Sequence, residues 1–322
     1  MDDVLIGTLV ASTLRVSVPL ILCALAGVLS ERSGVIDLGL EGKMLLTAFT
    51  TASVGALTGS MPLALAAALV VGVALSMLHG YACVTHGGDQ VVLGVAITMM
   101  AAGLTVVLGI AWFHLGGQTP PLAEAVRLHA VFAGTTAWLG EVPWVGKTLA
   151  LALFGHNAFV YGALVAVGAV WWLLYGTRFG LRLRATGENP NMVDAAGVSV
   201  KGLRYAALAL NGVLASLAGS YLVLAMNPSF IPNMTAGRGY MALAAMIFGK
   251  WRPVGALWAC LLFGFLDAAS IRLQGVPLPV VGLVPVQAIQ ALPYVMTVVL
   301  LAGFIGQAVA PKALGRPYVK ER

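Results

Sequence analysis

Charged side chains are scarce in this 322-residue chain: Lys and Arg number 18, Asp and Glu 12, together 9% of the sequence. Soluble domains carry about 25%, and a chain that is 60% hydrophobic cannot keep that much apolar surface from water. The low charge therefore excludes a soluble globular protein and makes lipid the solvent for its outer face. Cysteine is as sparse. Cys23, Cys83 and Cys260 sit singly in apolar runs, without metal-ligand spacing, and read as small packing residues. A Walker-type glycine loop, a His-Glu-x-x-His pair and a Gly-x-Ser-x-Gly turn are all missing. The chain thus lacks hydrolytic signatures, is not expected to be an enzyme or to hold a cofactor or metal, and leaves any use of ATP to a partner.

The charge that is present is lopsided, at a formal +6. Basic residues interleaved with aromatics on a soluble face are absent, so nucleic acid is not the expected partner; membrane proteins collect Lys and Arg in cytoplasmic loops. The N-terminus is acidic (Asp2, Asp3), and no cleavable signal peptide is expected. The five histidines, His79, His86, His114, His129 and His156, fall near predicted helix ends and loops, where solvated side chains are the ordinary case.

A bilayer core of about 30 Å takes about 20 apolar residues per helix. Nine stretches qualify: 9–29, 35–57, 62–85, 90–113, 158–175, 203–226, 236–248, 254–273 and 286–305. The expected fold is an all-α polytopic membrane protein of about nine helices, within a range of eight to ten. It forms a single transmembrane unit over residues 1–322. The seventh stretch is short and glycine-rich, so a tilted or broken helix is expected there. The interval 114–154 is rich in Leu, Trp and Pro and reads as lying on the membrane surface.

Basic residues set the orientation. The loop 176–204 carries Arg178, Arg182, Arg184, Lys201 and Arg204; the tail carries Lys312, Arg316, Lys320 and Arg322; Lys250 and Arg252 form a shorter cluster. Two spans separate neighbouring clusters, so one side accommodates all three. The N-terminus then lies outside, the C-terminus in the cytoplasm, and 114–154, with only Arg127 and Lys147, outside.

Two segments concentrate the remaining polar chemistry. In 31–43, Gly34, Gly39 and Gly42 each weaken a helix by about 1 kcal/mol relative to Ala, and irregular backbone at membrane depth must face protein or a water-filled cavity. A broken second helix is expected. Asp37 and Glu41 are four apart and share a face of whatever helix forms, which makes them candidates for a solute path or for ordinary interfacial charge; Glu31, Arg32 and Lys43 read as interfacial. Asp267 lies deeper and is expected to pair within the bundle, with Arg238 at the head of the seventh span. Asn211, with Thr98, Thr105, Ser216, Ser220 and Asn227, either lines a hydrophilic path or joins helices, as do Gly212 and Gly219. Trp112, Trp171, Trp172 and Trp251 read as packing or an interfacial belt. Paired glycine-interrupted stretches, 34–59 and 237–267, hint at an inverted repeat.

The second segment is the loop 186–198. Asn189 followed by Pro190 reads as an N-cap with proline at the first helical position, and Gly197 as a left-handed stop. The helix between has about two turns and shows a small face, Ala195, Ala196 and Gly197, open to close approach by another protein; a plain linker helix has the same capping chemistry.

Residues 30–44 (SERSGVIDLGLEGKM), 187–190 (GENP) with 194–197 (DAAG), 239–251 (GYMALAAMIFGKW) and 311–318 (PKALGRPY) together resemble the nucleoside and simple-sugar permeases. These belong to the branched-chain amino acid/ribose permease superfamily of ABC importers. The resemblance implies a permease working by alternating access in a bacterial cytoplasmic membrane, paired with a second, homologous permease chain. It also implies a cytoplasmic ATPase that binds the ATP and an extracytoplasmic binding lipoprotein that delivers the solute. Gly187, Glu188, Asn189, Pro190, Asp194, Ala195, Ala196 and Gly197 would form the coupling helix seated in the ATPase. Asp37, Glu41 and Asn211 stay path candidates. The Leu40-Glu41-Gly42 pattern favours the nucleoside/sugar branch over a branched-chain amino acid importer. An ion-coupled secondary transporter using Asp37, Glu41 or Asp267 as a relay is the rival from another class.

Overall fold

The computed structural model describes residues 2–132, 134–136, 148, 150–273, 285–292, 295–296, 298–299 and 308–320. Among these the regular secondary structure is helical, apart from an isolated bridge between Ala130 and Asn157. Six helices are long and apolar enough to cross a bilayer: Gly7–Arg32, Met61–Thr85, Gln90–Phe113, Ala158–Gly176, Val200–Met226 and Pro253–Arg272. They belong to α1 (Asp2–Arg32), α3 (Met61–Gly80), α4 (Gln90–Phe113), α5 (Ala158–Gly176), α8 (Val200–Tyr221) and α10 (Pro253–Leu273). Between them lie α2 (Leu40–Thr58), the short α6 (Arg178–Glu188) and α7 (Pro190–Ala195), and the half-length α9 (Arg238–Phe248); α11 (Val286–Gln290) follows. The expected ninth span, 286–305, lies largely outside the described residues.

The helices sort into a centre and a shell. In their most apolar stretches α1 and α8 are 72% and 78% buried. α2, with Glu41, Lys43 and a run of Thr and Ser, is buried along most of its length. Close contact requires glycine at particular crossings. A Cβ on Gly219 would strike Thr47 and the Met44 carbonyl of α2, and one on Gly212 the Gly72 backbone of α3. Gly212 and Gly219 are therefore contact residues between helices, as expected from their size. Threonines along α2 bond back to the preceding turn, and Thr51 also meets Ser220 of α8 at 2.8 Å, so polar groups act as interhelical ties.

The break between α1 and α2 is real but lies elsewhere than expected. α2 is continuous from Leu40 to Thr58, and the irregular backbone is the 33–39 segment before it, with Gly34 at φ 89°. Asp37 is thus outside any helix, and the expectation that it shares a helical face with Glu41 fails. A second stretch of irregular backbone, 227–237, leads from the end of α8 to the head of α9, which is 11 residues long. The short seventh span is this half-helix.

The three basic clusters, far apart in sequence, meet at one end. Arg32 Nε donates to the Trp251 carbonyl at 2.9 Å, Ala313 N–H to Gly187 O at 2.8 Å, and Gly315 N–H to Gly34 O at 3.1 Å. Arg204, fully buried, donates to the carbonyls of Ser33 and Arg316. At the opposite end, residues 119–128 fold onto 224–230 through Thr119 N–H to Phe230 O, Leu122 N–H to Pro228 O and Leu128 N–H to Leu224 O. Part of the 114–154 interval, Lys147 included, lies outside the described residues.

Candidate functional site

The break before α2 holds a buried charge cluster. Asp37 and Lys43 have fully buried side chains, and Lys43 Nζ donates to Asp37 Oδ2 at 2.5 Å. Gly39 N–H donates to Asp37 Oδ1 at 3.1 Å. Lys43 Nζ also donates to Asn211 Oδ1 at 3.0 Å, an oxygen that further accepts from Ser76 Oγ at 3.1 Å. The Asn211 amide in turn donates to the Ala26 carbonyl at 3.0 Å and to Ser30 Oγ at 3.4 Å. One chain of polar contacts therefore joins α1, the break, α2, α3 and α8. Removing either charge from such a pair leaves the other unpaired in a medium that solvates it poorly.

His79, at the end of α3, completes the cluster. Its Nε2 lies 3.1 Å from the Ile36 carbonyl, which only accepts, so that nitrogen carries the proton; Nδ1 faces Asp37 Oδ1 at 3.5 Å. Ile36 N–H is held by Gln90 Oε1 at 2.7 Å. His79 is buried, as is His156, which corrects the expectation that the histidines are solvated; His86, His114 and His129 are exposed. Lys43 is likewise corrected from an interfacial charge to a buried one. The sequence signal for His79 was present: it stands inside the apolar run 62–85, where an ionisable group is costly unless partnered.

Glu41 turns the other way. Its two carboxylate oxygens accept from Gly237 N–H at 2.8 Å and Gly239 N–H at 2.6 Å, at the head of α9. The first N–H groups of a helix have no intrahelical partner and carry the positive end of its dipole. A carboxylate from α2 therefore caps α9 from across the bundle. The glycines are required by closeness: a Cβ on Gly239 would strike the Glu41 backbone, and Gly237 adopts φ 80°. Glu31, also expected at the interface, is buried and accepts from Trp251 Nε1 at 2.6 Å. Trp251 is in consequence a core residue, whereas Trp112, Trp171 and Trp172 are about half exposed.

Asp267 is partly exposed, and among the described residues its carboxylate has no hydrogen-bond partner; only its carbonyl accepts, from Ser270. The expected pairing is not observed. Arg238 donates to the Met234 carbonyl at 3.2 Å.

The loop helix forms as its capping residues dictate. Asn189 Oδ1 accepts from Met192 N–H at 3.2 Å, Pro190 opens α7, and Gly197 takes φ 77°. Val193 is buried, while Met192 is 71% exposed and Ala195, Ala196 and Gly197 are open on the same end. Gly187, pressed against the Arg32 carbonyl, and Glu188 close α6. The tail braces the loop through Ala313 to Gly187 and through Lys320 Nζ, 3.7 Å from Asp194 Oδ1.

Two relatives agree over nearly the full length and a third over part of it. The guanosine ABC transporter permease protein NupQ of Bacillus subtilis (strain 168) is 37% identical, with 99% of each chain covered. The nucleoside ABC transporter permease protein NupC of Lactococcus lactis subsp. cremoris (strain MG1363) is 37% identical, over 98% of this chain and 97% of its own. The ribose import permease protein RbsC of Escherichia coli (strain K12) is 28% identical over 75% of this chain and 70% of its own. The family model described as branched-chain amino acid transport system / permease component matches residues 9–305, and this multi-pass membrane chain belongs to that family.

Proposed function

We propose that this chain is the membrane-spanning subunit of an ATP-driven importer of nucleosides, working by alternating access. The observation that carries the reading is the full-length 37% identity to a permease named for guanosine. Simple sugars are the second solute class, favoured by the similarity to the ribose permease.

In this reading the end where the three basic clusters meet faces the cytoplasm, with the N-terminus outside, nine spans in all, and an inner-membrane location. A cytoplasmic ATPase takes α7 into a groove through Met192, Ala195 and Ala196. A second, homologous permease and an extracytoplasmic binding lipoprotein complete the importer. Motion of α7 passes into the bundle through Gly187, which touches both the end of α1 and the tail. Asp37, Glu41 and Asn211 flank the solute path by holding the helices that must shift. The ion-relay alternative is weaker because the oxygens of Asp37 and Glu41 are already committed to Lys43 and to backbone amides.

The test is purification in gentle detergent, identification of the co-purifying chains by mass, and uptake of labelled guanosine by vesicles holding the complex. ATP-dependent uptake with a stoichiometric ATPase supports the reading; accumulation driven by an ion gradient without ATP overturns it. Ala196→Glu is expected to release the ATPase while the permease still inserts. Normal uptake by that variant removes α7 from the docking role.

A further inference from the structure

A groove of about 670 Å³ opens beside the turn that joins α9 to α10. The turn has an inner and an outer side. Trp251 points into the core, and Arg32 fastens the Lys250 and Trp251 carbonyls. Lys250 and Trp251 take successive left-handed conformations, φ 55° and 53°, uncommon for residues with side chains. This backbone leaves Lys250 and Arg252 exposed on the groove. Among the described residues neither cation has a hydrogen bond or ion pair with the protein. Close by, Arg184 stacks on the Tyr175 ring of the groove wall at 4.7 Å, and its Nε is buried without a partner. Two further residues line the same space. Val254 and Gly255 occupy the first turn of α10, ahead of its first backbone bond, from Ala256 N–H to the Arg252 carbonyl at 2.9 Å.

The rest of the lining is aromatic and open. Trp171 is 49% exposed and Trp258 68%, and beyond Trp258 the exposed Leu262 and Phe265 carry an apolar track along α10. Unpartnered cations at a helix end, a belt of indole rings and an apolar track below them suit a molecule that is anionic at one end and hydrocarbon at the other. Basic pockets between membrane helices take phosphate headgroups for this reason. A free phosphate would use the cations but leave the track uncovered.

We propose that this groove is a binding site for the phosphate headgroup of an anionic phospholipid, with an acyl chain along α10. The site rests on the chain spanning a bilayer and on neither the solute nor the ATPase, so the uptake test and this one fail independently. The full chain, purified with its partners, is mixed with equal amounts of phosphatidylglycerol and phosphatidylcholine, and retained lipid is read by native mass spectrometry. Phosphatidylglycerol is expected to be retained severalfold over phosphatidylcholine, and inorganic phosphate is expected not to displace it. The Lys250→Gln/Arg252→Gln variant is expected to lose most of that preference, because the two cations supply the attraction to an anionic headgroup. Arg252→Lys keeps the charge and is expected to restore most of it beside Lys250→Gln. Equal retention of the two lipids by the unaltered protein overturns the site whatever the variants do. So does displacement by phosphate, or retention seen only after the partners are stripped away, which would make the groove a protein interface.

Discussion

Within their most apolar stretches α1 and α8 are 72% and 78% buried, whereas α3, α4, α5 and α10 are 22% to 33% buried. The two groups also differ in chemistry. The central helices hold Glu31, Glu41, Lys43, Arg204 and Asn211, each hydrogen-bonded across a helix boundary. The shell is studded with outward Val, Leu, Met and Trp, such as Met99, Val107, Val165 and Trp172. In water the order would be reversed. In lipid an unpaired polar group has no solvent partner, so polar groups gather where another helix completes them. The centre thereby becomes specific in its contacts while the shell stays permissive.

Breaking the Asp37–Lys43 pair should sharpen this contrast most. Lys43→Met leaves the Asp37 carboxylate buried without its cation, at a cost of about 3–5 kcal/mol. A large drop in thermal unfolding temperature, followed by size-exclusion in detergent, is the expected result. The double variant Asp37→Asn/Lys43→Met should recover much of the loss; if the single change is tolerated as well as a surface one, the centre is not held by that pair. A smaller effect is expected at Glu41. Glu41→Gln offers one oxygen and an amide where two N–H groups await acceptors, a loss of about 1–2 kcal/mol. Hydrogen exchange should speed up at Gly237 and Gly239 and little elsewhere. Least affected is the shell, where Val165→Ala, at a position 71% exposed, should change stability by no more than about 0.5 kcal/mol. A cost like that of Lys43→Met would mean that α5 is covered by another protein chain instead of lipid.

The loop helix was legible from sequence because capping is local. Asn189, Pro190 and Gly197 act within one turn of their own positions, and the structure shows each in the expected conformation. Asp37 and Glu41 were legible as unusual residues but not as to their partners. Their four-residue spacing implies a shared face only if the backbone is helical, and Gly39 begins the helix after Asp37. Lys43 and His79 were misjudged because distance from a predicted helix end is a poor guide to depth when the chain bends inward. That Asp267 finds no partner among the described residues has the same origin: periodicity places a residue along a span without naming what stands opposite.

Composition alone settled that this is a polytopic helical membrane protein, because the cost of apolar surface in water and of charge in lipid is paid residue by residue. Loop charge similarly separated the basic clusters from the rest of the chain by simple counting. Only the tertiary structure decided that those clusters meet at one end, that Lys43 answers Asp37 while Glu41 caps α9, and that His79 and Asn211 join the same buried network. The Glu41–Gly239 pairing alone spans 198 positions, and no local pattern encodes such contacts; they follow from which helices pack closely enough for one side chain to satisfy another.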